Sequence, residues 1–95
     1  MTTRVNFEIK TTGTVNSYYV WVERKNVRLR NKKGYLMLKP RTTKYEVVYM
    51  AKGNNNGTAE LIVTQGDKVL GKKKRKIGER RVISDSVSIA VGGAG

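Results

Sequence analysis

Apolar residues recur at every second position through most of this chain, and the 3.6-residue period of an amphipathic helix is nearly absent. Val5, Phe7 and Ile9 alternate with Asn6, Glu8 and Lys10, as in a strand with one buried face. Thr11-Thr12-Gly13-Thr14 reads as a turn. Tyr18-Tyr19-Val20-Trp21-Val22 is dense in strand-favouring residues and apolar on both faces, which predicts a central strand or one with a covered outer face. Arg24-Lys25-Asn26 reads as a tight connection. Beyond it Val27 and Leu29 alternate with Arg28 and Arg30, which places both arginines on the outward face of one strand. Asn31-Lys32-Lys33-Gly34 reads as a turn in which Gly34 supplies a positive φ. Tyr35–Leu38 is a further strand, ended by Pro40, which cannot donate to a ladder.

The cleanest alternation sets Tyr45, Val47, Tyr49 and Ala51 on one face and Glu46, Val48 and Met50 on the other. Gly53-Asn54-Asn55-Asn56-Gly57 is a loop by composition. Ala59, Leu61 and Val63 then alternate with Glu60, Ile62 and Thr64. Gln65-Gly66-Asp67 turns the chain into a short strand, Lys68-Val69-Leu70, closed by Gly71. The last strand points Ile83, Val87, Ile89 and Val91 inward and Ser84, Ser86 and Ser88 outward. Asp85 falls on its apolar face. A β-bulge that turns Asp85 outward is expected there, with a buried salt bridge to an arginine as the alternative.

The segment Leu36-Met37-Leu38-Lys39-Pro40, Thr42-Thr43, Tyr45 to Tyr49 and Gly53 resembles the corner between sheets in immunoglobulin-like and fibronectin-type sandwiches. In such corners a Tyr opens the following strand and its hydroxyl bonds back to nearby backbone, a role that falls to Tyr45 here. The resemblance stops at Gly57, beyond which about three strands follow instead of one, so it tilts the architecture toward a sandwich over a closed barrel. The expected fold is all-β: an antiparallel β-sandwich of seven or eight short strands, immunoglobulin-like in broad architecture. Residues 1–91 make a single domain, and Gly92-Gly93-Ala94-Gly95 forms a flexible tail with nothing to pack.

Composition narrows the chemistry. The apolar fraction, 38%, is low for a globular domain, but its grouping into blocks argues against disorder. Neither Cys nor His occurs, which removes thiol nucleophiles, Ser–His triads, disulfides and zinc–thiolate sites. The seven carboxylates are scattered without metal-ligand spacing. No enzyme, cofactor or metal site is expected. No apolar run approaches the roughly 20 residues that span a bilayer. The opening residues lack the apolar stretch of a signal peptide, although a removed signal keeps export open; Asn56-Gly57-Thr58 matches the glycosylation pattern, a motif short enough to arise by chance.

Lys and Arg number 20 against seven acids, for a net charge of +13, and this excess points to an anionic partner: nucleic acid, an anionic lipid surface or an acidic polysaccharide. The charge is clustered. Arg24, Lys25, Arg28, Arg30, Lys32, Lys33, Lys39, Arg41 and Lys44 form one group, and Lys68, Lys72, Lys73, Lys74, Arg75, Lys76, Arg80 and Arg81 form the other. The run Lys72–Lys76 has three readings: a finger that tracks phosphates, protection of an exposed strand edge, or adhesion to an anionic bilayer. Arg28 and Arg30 suit paired phosphates or carboxylates. Tyr19, Trp21 and Tyr35 lie near the first group and are candidates for stacking bases or sugars, though the core is the expected place for Trp21. The leading expectation is a non-enzymatic module that binds a polyanion through both clusters, which requires them to converge on one surface. The alternative is a structural or protein-interaction domain, exported or not, whose charge serves solubility.

Overall fold

The computed structural model describes residues 2–92. Among these, eight strands form: β1 (Thr3–Thr12), β2 (Val15–Val22), β3 (Lys25–Val27), β4 (Lys33–Leu38), β5 (Tyr45–Gly53), β6 (Thr58–Gln65), β7 (Lys68–Lys76) and β8 (Val82–Ile89). They pair antiparallel in two four-stranded sheets, β4-β1-β6-β7 and β3-β2-β5-β8, packed face to face as a β-sandwich. The long strands β1 and β6 occupy the centre of one sheet, and β2 and β5 the centre of the other.

Alternation builds the core directly. Val5, Phe7 and Ile9 of β1 and Ala59, Leu61 and Val63 of β6 face Val20 and Val22 of β2 and Tyr45, Val47, Tyr49 and Ala51 of β5, all buried. Ile83 and Ile89 of β8 complete that layer, with Val91 just beyond it. Among the described residues no charged or polar residue lies wholly inside, and no buried side-chain polar atom lacks a partner. At the corner between β4 and β5, the Tyr45 hydroxyl donates to the Lys39 carbonyl at 2.5 Å, the bond that the sandwich-corner resemblance implies. After β5 the chain adds a β6–β7 hairpin to the first sheet before returning as β8, so three strands follow β5. No helix of the described residues is long and apolar enough to cross a membrane.

Several local expectations are corrected. β3 ends at Val27, so Arg28 and Arg30 do not share a strand face; Arg30 makes only an isolated bridge to Lys33. The turn of positive φ belongs to Asn31 (54°) and Lys32 (65°), closed by paired Arg30–Lys33 backbone bonds. Gly34 is instead inside β4, where the chain runs too close for a side chain: a Cβ would stand 2.4 Å from the Arg28 carbonyl oxygen. Gly71 does not close a strand. Val63 pairs with Gly71 and Thr64 with Val69, so Leu70 is the extra residue of a bulge and β7 continues through the whole lysine run. The bulge expected at Asp85 is absent, since β8 keeps unbroken register with β5, Tyr49 opposite Asp85. Of the expected tail, Gly92 is held through its carbonyl by the Gln65 amide at 2.9 Å; residues 93–95 lie outside the described residues.

Candidate anion-binding surfaces

The strand β7 is an edge strand that carries five consecutive cations. Alternation divides them. Lys73 and Arg75 lean toward β8 in the facing sheet, where both approach Asp85 Oδ2, at 3.9 and 3.4 Å. Asp85 therefore pairs with an arginine, but not in the buried salt bridge that was the alternative to a bulge, since the Arg75 side chain is 53% exposed. The Tyr49 hydroxyl donates to the Lys73 carbonyl at 3.2 Å, and Ile77, next in line, is fully buried with its N–H on the Gly57 carbonyl at 2.8 Å. These contacts pin the inner side of a segment whose like charges oppose ordering. Ile77 stands alone behind the lysines, with no alternation around it to mark it as core.

Lys72, Lys74 and Lys76 take the other face. They stand opposite Ile62, Glu60 and Thr58 on β6, at a strand spacing of about 6.5 Å between successive lysines. Arg4 and Lys10 of β1 and Lys33 of β4 share that outer face, because Val5, Phe7 and Ile9 point inward. Six cations therefore cover the β4-β1-β6-β7 face against two carboxylates: Glu8 lies 3.8 Å from Lys33 and Glu60 3.8 Å from Lys72. The face also holds a shallow cavity of about 330 Å³ bordered by Arg4, Asn6, Glu8, Lys33 and Tyr35. Arg4 and Lys10 fell outside both sequence clusters, yet the alternation of β1 already set them outward.

The first cluster does not join this face as a unit. Its strands, β3 and β4, form one edge of the sandwich, and β7 and β8 form the opposite edge. Arg28, Arg30 and Lys32 lie along the β3–β4 edge, with the Lys32 ammonium on Thr11 Oγ1 at 2.7 Å. Arg24 and Lys25 sit at the β2–β3 turn, at the Val22–Val47 end of the molecule. Arg80 and Arg81 lie at the other end, where the Arg81 carbonyl accepts from the Gly53 N–H at 3.0 Å. The two clusters therefore do not merge; Lys33 alone carries the first onto the face that bears the second.

The aromatic candidates separate as well. Tyr35 is 52% exposed on the cationic face, with the Arg4 guanidinium 4.1 Å from its ring centroid. Tyr19 and Trp21 project from the outer face of the other sheet, rings stacked at 5.8 Å, because Val20 and Val22 point inward. Trp21 is thus a half-buried surface residue and not part of the core. Around the pair stand Val48 and Met50 of β5 and Ser84 and Ser86 of β8, opposite them or one strand further. Comparison with protein-family models, characterised proteins and solved structures finds no match to this chain.

Proposed function

We propose that this chain is a non-enzymatic binding module that holds a polyanion on the outer face of the β4-β1-β6-β7 sheet, with the β7 lysines as its principal grip. The observation that carries this reading is the exposure of Lys72, Lys74 and Lys76 in regular array on a strand whose inner side is fixed by Asp85, Tyr49 and Ile77. Such a row presents charge at constant spacing without the entropic cost of ordering a loop on binding. Only five of the 20 Lys and Arg residues lie within ion-pair distance of a carboxylate among the described residues, so the excess is open to an external anion. Surface pairs as long as those of Lys33 and Lys72 are weak and yield to a polyanion. Tyr35, beneath Arg4, adds a ring on which a base or a sugar can stack.

The test is a salt titration. Affinity for a single-stranded RNA or for heparin, followed by fluorescence anisotropy, falls steeply with salt as counterions return to the polyanion. The triple variant K72Q/K74Q/K76Q lowers the slope of log K against log salt by about 2–3. Absence of binding at low salt, or an unchanged slope, overturns the reading. A second reading, a protein-interaction domain, draws on the other face. The stacked Tyr19–Trp21 pair with Val48 and Met50 forms a surface on which the outward positions of β2, β5 and β8 carry Glu46 and Lys52 as their only charges, and loss of partner binding on Trp21→Ala would favour it.

A further inference from the structure

Four members of the first basic cluster do converge, in a place their sequence positions do not suggest. The β2–β3 turn brings Arg24 and Lys25 beside Lys39 and Arg41 of the β4–β5 loop, around a cavity of about 490 Å³ at one end of the sandwich. That volume lies within the range of small-molecule sites. Its apolar lining is Val22, Leu38 and Tyr45, which are buried, and Met37, which is exposed; Thr2, Glu23 and the four cations complete it.

The cavity is rigid where it matters. The Arg41 guanidinium lies 3.6 Å from the Tyr45 ring centroid, donates to Glu23 Oε2 at 2.7 Å, and donates to the Thr43 and Lys44 carbonyls at 3.2 Å each. Arg41 is therefore a fixed wall that neutralises Glu23, whose carboxyl it holds below the usual range chiefly through that hydrogen bond. The Tyr45 hydroxyl is committed to the Lys39 carbonyl, so the tyrosine turns only its ring to the cavity. Arg24, Lys25 and Lys39 have no carboxylate within ion-pair distance among the described residues. A cavity with an apolar base and a rim of three free cations matches a ligand with an apolar body and an anionic end.

We propose that this cavity binds an amphiphilic anion, a phosphate or carboxylate head carrying a short apolar chain, with the head held by Arg24, Lys25 and Lys39 and the chain laid against Val22, Met37, Leu38 and Tyr45. The site is separate from the β7 lysines and stands or falls independently of the polyanion reading. Octyl phosphate, below its micellar concentration, is the probe. Inorganic phosphate supplies the head without the chain, and octanol the chain without the head. Binding is read by calorimetry and by the methyl resonance of ¹³C-labelled Met37.

Octyl phosphate is expected to bind at least tenfold more tightly than either fragment and to shift the Met37 methyl. Lys25→Glu with Lys39→Glu weakens it at least tenfold, whereas K72Q/K74Q/K76Q leaves it unchanged. Equal affinity for octyl phosphate and inorganic phosphate, or equal weakening by the β7 variant, would reduce the result to general attraction by a basic protein and overturn the proposal. So would full affinity in the K25E/K39E protein. Vesicles containing phosphatidic acid separate the two sources of such a head: capture that K25E/K39E abolishes assigns it to a bilayer, and octyl phosphate binding without capture assigns it to a free amphiphile.

Discussion

Burial sets the chemistry of Tyr49. The residue is fully enclosed, its hydroxyl reaches the Lys73 carbonyl, and its ionisation is pushed up to about 12 by burial first and by the neighbouring Asp85 carboxylate second, against the pull of Arg75. A free phenol ionises near pH 10. The fold therefore favours the neutral form: its contribution is complete below about pH 10 and is lost as pH rises through 12, amounting to at most about 2–3 kcal/mol. Tyr49→Phe has nothing to titrate. At neutral pH it is less stable than wild type by about 1 kcal/mol, the net worth of a hydrogen bond. Between pH 10 and 12 the two stability curves converge and cross, because only the wild-type unfolded chain ionises a phenol at position 49 there, while the buried phenol keeps its proton. Urea unfolding at stepped pH measures both, and parallel curves would refute the assignment. Every other ionisation is common to both proteins and cancels in the difference.

At the scale of elements, the corner that joins β4 to β5 rests on one side chain. Tyr45 caps the end of the core, fixes the Lys39 carbonyl and supports the stacked Arg41. Tyr45→Phe keeps the ring and removes the hydroxyl, leaving the Lys39 carbonyl unpaired, at a cost of about 1–2 kcal/mol in urea denaturation. Because the corner also shapes the adjacent cavity, octyl phosphate affinity falls with it. Tyr45 was legible in the sequence, since an aromatic residue a few positions after a strand-ending Pro and before a clean alternation is a local pattern. β1, β5 and β6 were legible for a similar reason: one face buried and one solvated imposes a period of two on the residues themselves. β7 was legible only in part: its start at Lys68 and an edge-strand reading of the lysines were, but its continuity past Gly71 was not, because half of its order comes from elsewhere. Lys73 and Arg75 are tolerated in a strand by Asp85 on another sheet, and the bulge at Leu70 hides the continuation past Gly71. The meeting of Arg24 and Lys25 with Lys39 and Arg41 was equally hidden, since it depends on sheet packing that sets the β2–β3 turn beside the β4–β5 loop.

Across the whole molecule, charge is partitioned between the two broad faces of a sandwich measuring 43 × 23 × 20 Å. One face collects six cations and the other is nearly neutral, so a polyanion approaching a chain of net charge +13 meets an oriented field and not a uniform one. The same lysines also lie on an exposed edge, where charge discourages pairing with another chain. Edge protection and anion binding differ in what they ask of the sign. Protection needs only like charges, because antiparallel self-pairing of β7 sets outer-face residues against outer-face residues, and carboxylates repel there as ammonium groups do. Binding needs positive charge. K72E/K74E/K76E is therefore expected to stay monomeric in sedimentation velocity while losing RNA or heparin affinity entirely, and K72Q/K74Q/K76Q to lose part of that affinity and begin to self-associate as concentration rises. If the glutamate variant associated as readily as the glutamine one, the lysines would not be guarding the edge. If it retained its affinity, the polyanion would be held somewhere other than this face.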